Sequence, residues 1–105
     1  MLGQVGIMPM RLGNLAFVLH AHLPFVRHPE HPEFLEEDWL FEALTETYLP
    51  LIQMLDGLEA DGVDWRLTMS VTPTLSAMFA DPMLQDRYQD RLKRLVELAT
   101  KELER

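Results

Sequence analysis

The chain has 105 residues, a formal net charge of -8 and no cysteine. An acidic chain is not attracted electrostatically to a nucleic-acid backbone or to an anionic membrane, so neither is expected as a partner. The lack of cysteine excludes disulfides and thiolate chemistry, and it fits a cytoplasmic location. Because 48% of the residues are hydrophobic, the chain is expected to bury a core.

The first predicted element is a strand at residues 15–19, where five consecutive apolar residues end in the polar His20. Such a run is typical of a strand that is covered on both faces in a parallel sheet. Residues 1–13, which glycines and a proline interrupt, are predicted to form a loose leader before it.

A long loop and a helix are predicted next. Prolines interrupt residues 23–37 without any period, and ordered loops of that length are usually functional. Asp38 is a candidate N-cap for a helix that begins at Trp39. Pro50 lies inside the helical pattern and predicts a kink or break near Glu46 or Thr47. Gly62 is the candidate C-terminal cap.

The remaining elements are a second strand at residues 65–71, a short helix from Thr72-Pro73 through Phe79, and a last helix that begins at Asp81-Pro82. This order is how an α/β protein with a parallel sheet begins. Two strands neither close a barrel nor hide both faces of a sheet. The chain is therefore expected either to be truncated or to need a partner, with self-association as the outcome for the chain alone.

His20 and His22 are the main candidates for chemistry. They stand two residues apart at the carboxyl end of the first strand, so the strand period points both imidazoles the same way. In parallel α/β folds this end faces the ligand, and imidazole there can form hydrogen bonds, ligate a metal or move a proton. The spacing alone is weak, because a histidine near a strand end is often only structural.

The segment His20–Glu30, HAHLPFVRHPE, resembles the first conserved stretch of glycoside hydrolase family 57, a histidine-x-histidine-x-proline motif at the end of the first barrel strand. The continuations 34–51 and 71–76 are similar to the branching-enzyme subgroup of that family. The resemblance implies that residues 14–105 are the N-terminal βαβα part of a (β/α)7 barrel. It also implies an α-1,4-glucan substrate, retention of anomeric configuration, and no cofactor or catalytic metal.

Retention needs two carboxyl groups about 5 Å apart, one as nucleophile and one as general acid and base. The resemblance implies that this glutamate and aspartate follow on later strands, and it assigns no catalytic residue to this chain. It does imply that His20 and His22 line the sugar subsite and form hydrogen bonds to hydroxyls.

Other residues are candidates for supporting roles. Trp39 is favoured over Phe25 and Phe41 for stacking on a sugar face. Pro24 would fix the chain as it leaves the strand, and Arg27 would position acidic groups or hydroxyls. Glu46 is a candidate for a supporting contact to His20 or His22, and an exposed helix position without such a contact is an equal alternative.

Several alternatives stay open. Within the family, branching is favoured over amylase and 4-α-glucanotransferase activity on resemblance alone. Metal-dependent barrel hydrolases also begin with histidine-x-histidine, in which His20 and His22 would be ligands, but such a site needs further ligands. A non-catalytic interaction module is the third alternative, against which the apolar first strand argues.

Overall fold

The computed structural model describes residues 10–105. Strands β1 (Val18–Ala21) and β2 (Thr68–Val71) pair in parallel. Between them lie helices α1 (Glu37–Ala43) and α2 (Leu49–Ala60). The π-helical segment Leu44–Tyr48 joins these two helices into one continuous helical stretch. Helices α3 (Pro73–Phe79) and α4 (Pro82–Leu103) follow β2. The predicted element order and the parallel pairing are confirmed, whereas residues 1–9 of the predicted leader lie outside the described residues.

The first strand lies later in the chain than predicted. Pairing with β2 extends through His20 and Ala21, so the strand spans Val18–Ala21 and not residues 15–19. Two of its apolar side chains are exposed, Val18 at 55% and Leu19 at 40%, whereas Ala21 is buried. A strand with the sequence of a covered strand is therefore covered only at its carboxyl end within residues 10–105.

The predicted irregularity before Pro50 is confirmed as the π-helical segment. Proline has no N–H to donate to the carbonyl of Glu46, four residues earlier, so the regular α-helical bonding is interrupted there. At the other end of α2, Gly62 has φ +74, the left-handed conformation that ends a helix. Gly62 is thus confirmed as the terminating residue.

The prediction that Asp38 caps the first helix is wrong. The helix begins at Glu37, and the N–H groups of Glu37, Asp38 and Trp39 each donate to a carbonyl three residues earlier. These turn bonds satisfy N–H groups that a capping side chain would otherwise accept. The Asp38 carboxylate is therefore available for an ion pair with Arg91.

The predicted helix starts at Thr72-Pro73 and Asp81-Pro82 are confirmed, and the first residue of each pair is the N-cap. The Thr72 hydroxyl accepts the N–H of Leu75 at the start of α3. The Asp81 carboxylate accepts the N–H groups of Met83 and Leu84 at the start of α4. In both helices a proline follows the cap directly, where its missing N–H costs no hydrogen bond.

The core lies where the end of β1 and the loop that follows it meet α1, α3 and the beginning of α4. Its buried apolar side chains are Ala21, Val26, Leu40, Phe41, Leu75, Met78 and Leu84. The loop residue Val26 is fully buried, and its N–H points at the Met78 sulfur at 3.4 Å. The long loop is therefore part of the folded core. Among the helices of residues 10–105, none has both the length and the apolar character for crossing a bilayer.

Candidate functional site

The carboxyl ends of β1 and β2 form the edge at which the sequence predicts a site. His20 stands directly opposite Ser70 in the parallel register, and Ala21 stands opposite Val71. The Nδ1 atom of His20 lies 2.7 Å from the Ser70 hydroxyl oxygen. Both side chains are exposed, so this hydrogen-bonded pair faces solvent and is open to a ligand.

His22 is the first residue after a buried Ala21 at the end of β1 and is likewise exposed. No hydrogen bond joins its ring to another of residues 10–105. The two histidines therefore differ: the ring of His20 is held by a protein partner, and the ring of His22 is not held by any described residue. Exposed imidazoles at a strand end can donate to or accept from ligand hydroxyls.

The backbone beneath this edge is anchored on both strands. After Ala21, the chain inserts Leu23 and Val26 into the core, with Pro24 exposed between them. The N–H of Thr72 donates to the carbonyl of Ala21, which extends the ladder one step beyond β2. Since Thr72 also caps α3, the strand end, the loop and α3 are tied together at this point.

Arg27 connects the loop to the start of α4. Its Nε donates to the Asp81 carboxylate at 2.5 Å. Burial raises the pKa of Asp81, but hydrogen bonds from Arg27 and from the N–H groups of Leu84 and Met83 outweigh it, so this pKa lies below its ordinary value. Arg27 therefore joins the loop to the capping residue of α4, and no hydrogen bond or ion pair joins it to His20 or His22.

Three arginines on one face of α4 hold the rest of the loop and the start of α1. Arg87, Arg91 and Arg94 are four and three residues apart, so they share a helix face. Arg87 pairs with Glu37 and also donates to the carbonyls of His28 and His31. The other two pairs are Arg91 with Asp38 and Arg94 with Glu33.

His28 forms the centre of a small polar cluster in the same loop. Its Nδ1 lies 3.0 Å from a Glu30 oxygen and its Nε2 lies 3.3 Å from a Glu36 oxygen. The ring also contacts Phe34, with 3.7 Å between ring centroids. The hydrogen bond with Glu30 is the main reason that the pKa of His28 is raised, and the bond with Glu36 adds to it.

The other predicted site residues lie in different surroundings. Trp39 is 50% exposed on α1, and Phe25 is exposed in the loop. Phe41 is buried in the core and packs against Tyr88, so it is not available for a sugar. Glu46 is exposed on the π-helical segment, and no hydrogen bond joins it to either histidine.

Sequence reasoning missed Ser70 and the buried pair of Glu37 with Arg87. No residue pattern points to Ser70, because only the register of the two parallel strands brings it beside His20. Glu37 is 2% exposed, although loop carboxylates are usually solvated. Its burial is possible because Arg87 supplies the compensating charge.

The site can bind polar groups, and its own chemistry is limited to hydrogen bonding and proton exchange by imidazole and hydroxyl groups. The loop carboxylates Glu30, Glu33, Glu36 and Glu37 are each paired with a basic side chain. Within residues 10–105, no cluster of three or more histidine, aspartate or glutamate side chains has the arrangement of a metal site.

Known proteins resemble this chain in sequence and in structure. Residues 16–105 match the sequence profile of glycosyl hydrolase family 57. A 1,4-alpha-glucan branching enzyme of Thermococcus kodakarensis is 35% identical over 92 residues, which is 87% of this chain and 13% of that protein. A probable 1,4-alpha-glucan branching enzyme of Mycobacterium tuberculosis is 35% identical over 71 residues, or 67% of this chain and 13% of that protein.

A solved structure is also similar. The alpha-amylase AmyC from Thermotoga maritima superposes with a TM-score of 0.78 and 54% identity, over 85% of this chain and 16% of that chain. The present chain thus spans about one eighth of the length of the curated relatives it matches. Because the family profile covers nearly the whole described part, the chain belongs to glycosyl hydrolase family 57.

Proposed function

We propose that this chain forms one wall of a sugar subsite in a retaining enzyme that acts on α-1,4-glucans, with His20 and His22 in contact with the glucan. The observation that carries the proposal is the position of two exposed imidazoles at the carboxyl end of β1, in a chain that belongs to family 57. Imidazole bonds to sugar hydroxyls that strengthen toward an oxocarbenium-like transition state would accelerate the reaction.

The proposed enzyme uses carboxyl groups outside this chain. The acidic side chains of the loop are engaged by arginines or by His28, which argues against a role as nucleophile or as general acid. The apolar faces of Val18 and Leu19 are exposed, as expected of a barrel strand whose covering elements are elsewhere. Both points support a (β/α)7 barrel in which residues 14–105 supply the first two strands.

We propose branching, the transfer of a glucan segment to form an α-1,6 linkage, as the activity. Relatives from two organisms support it, of which one is named a 1,4-alpha-glucan branching enzyme and the other a probable 1,4-alpha-glucan branching enzyme. Hydrolysis is the second candidate, because the similar solved structure is named an alpha-amylase and its identity to this chain is higher, at 54%.

The test uses the full-length encoded polypeptide with amylose as substrate. Branching produces new α-1,6 linkages, which NMR detects, whereas hydrolysis produces reducing ends without them. His20→Ala and His22→Ala should each lower turnover while circular dichroism and the melting temperature stay unchanged. Gln53→Ala, an exposed change on α2, is the matched control. Undiminished rates in both histidine variants would exclude them from the subsite.

The 105-residue polypeptide by itself provides a second test. Since the proposal assigns no catalytic carboxylate to it, it should neither branch nor hydrolyse amylose. New α-1,6 linkages or new reducing ends in amylose treated with the purified polypeptide would contradict the assignment of the bond-breaking groups to other parts of the enzyme.

A further inference from the structure

The hydrogen bond between His20 and Ser70 fixes one side of the imidazole ring. The two residues are direct partners across β1 and β2, and the pairs on either side, Leu19 with Met69 and Ala21 with Val71, hold that register. The distance of 2.7 Å from Nδ1 to the hydroxyl oxygen is that of a well-formed hydrogen bond. A side chain of β2 therefore determines how a side chain of β1 is presented.

Engagement of Nδ1 leaves the other ring nitrogen for a ligand. Within residues 10–105, the Nε2 atom of His20 makes no hydrogen bond to protein. A serine hydroxyl can donate or accept, so Ser70 can hold either neutral tautomer of the ring. The bond made by one imidazole nitrogen sets the role of the other, and it also restricts rotation of the ring.

We infer that Ser70 is a positioning residue: its hydroxyl orients His20 so that Nε2 is presented to a hydroxyl of the bound glucan. This inference rests on the proposed function. His20 is exposed, and packing alone does not confine an exposed side chain to one rotamer. Without the hydroxyl, the ring would spend less time in the orientation that contacts the sugar.

The hydrogen bond between Ser70 and His20 is expected to raise kcat/KM by about three- to tenfold, the range for one hydrogen bond of ordinary net strength. Ser70→Ala removes the hydroxyl and should show that loss. Ser70→Thr keeps a hydroxyl at the same atom and suits a strand, so it should recover most of the rate. Rescue of this kind distinguishes orientation by the hydroxyl from a general effect on the fold.

The experiment measures amylose turnover by the full-length encoded polypeptide in a double-mutant cycle of His20→Ala and Ser70→Ala. If Ser70 acts through His20, Ser70→Ala lowers the rate in the wild-type background and has no further effect in the His20→Ala background. Melting temperatures of all variants establish that each is folded.

The outcomes separate the two proposals. Loss of rate in His20→Ala with no change in Ser70→Ala would overturn the role of Ser70 and leave the subsite proposal intact. Equal losses from Ser70→Ala in both backgrounds would also overturn it, since the serine would then act independently of His20. No loss in His20→Ala would instead remove His20 from the proposed subsite, and the positioning role of Ser70 with it.

Discussion

Arg87 and Glu37 form an ion pair that joins the second turn of α4 to the first residue of α1. The Glu37 side chain is almost completely buried, and Arg87 is largely buried beside it. The same guanidinium donates to the carbonyls of His28 and His31, so a single side chain satisfies a carboxylate and two loop carbonyls. These interactions anchor the loop that follows β1 to α4.

Arg87→Ala is expected to lower the free energy of unfolding by about 3 kcal/mol, because it leaves a buried carboxylate without its partner charge. Urea denaturation followed by circular dichroism measures the change. Arg66→Ala is the matched control, since Arg66 pairs with Asp64 in a fully exposed position, and its effect should be below about 0.5 kcal/mol. The double variant Glu37→Gln with Arg87→Met should lower the free energy of unfolding less than Arg87→Ala does. Equal effects at Arg87 and Arg66 would refute the burial argument.

Asp81 combines two roles that substitution can separate. Asp81→Asn keeps an oxygen that accepts the N–H groups of Met83 and Leu84, but it removes the charge that faces Arg27. Asp81→Ala removes both, and the loss of the cap should cost about 1 kcal/mol more than the asparagine change. Melting temperatures of the two variants measure this difference. If the two variants melt together, the cap contributes nothing to stability.

The His28 cluster should stabilise the loop most on the acidic side of neutrality. The pKa of His28 is raised above its ordinary value of 6.5, so its contribution is full below that value and is lost as pH rises through the pKa of the folded state. The pKa of Glu30 is lowered from 4.5, mainly by a hydrogen bond from its own backbone and then by His28, so its contribution is lost as pH falls through the lowered pKa. Both contributions to stability are present between pH 4.5 and pH 6.5, the ordinary pKa values of Glu30 and His28.

An NMR titration of the His28 ring tests this sign. Its midpoint should lie above 6.5, and Glu30→Gln should bring it down, because the neutral amide no longer favours the charged ring. His28→Ala should destabilise the protein more at about pH 5.5 than at about pH 8.5. A destabilisation that grows toward alkaline pH would contradict the assignment of the cluster as an ion-pair site.

Trp39 should affect glucan binding and leave folding unchanged. Half of this residue is exposed on α1, so its ring is open to stacking on a sugar face. In the full-length polypeptide, Trp39→Ala should raise KM for amylose several-fold, whereas Trp39→Phe should preserve most of the affinity. Leu103→Ala, at an exposed position near the end of α4, is the control. An unchanged KM in Trp39→Ala would remove this residue from the site.

Local sequence signals predicted the elements whose causes are local. Thr72-Pro73 and Asp81-Pro82 begin helices as expected, because cap and proline act within one turn. The interruption before Pro50 followed from one missing N–H. The extent of β1 was not predictable in this way, since it depends on pairing with β2, which begins where the Phe17 carbonyl accepts the N–H of Thr68 and continues through Ala21.

The tertiary contacts of the site could not be predicted from the sequence. Glu37 reads as one of several loop carboxylates, and only the position of Arg87, 50 residues later, makes it a buried ion. Asp38 lost its predicted role as a cap because turns of the preceding backbone already satisfied the first N–H groups of α1. Ser70 became a partner of His20 through strand register, which residue patterns alone leave undetermined.

The arginine face of α4 has a consequence for the order of events during synthesis. Arg87, Arg91 and Arg94 reach back across 50 to 61 residues to the loop and to α1. Each pair can form only after its arginine has left the exit tunnel of the ribosome, so the loop after β1 lacks these contacts while its own residues are already outside the tunnel. Closure of such long intervals is slow compared with local helix formation. The loop after β1 is therefore among the last parts of this region to reach its final shape.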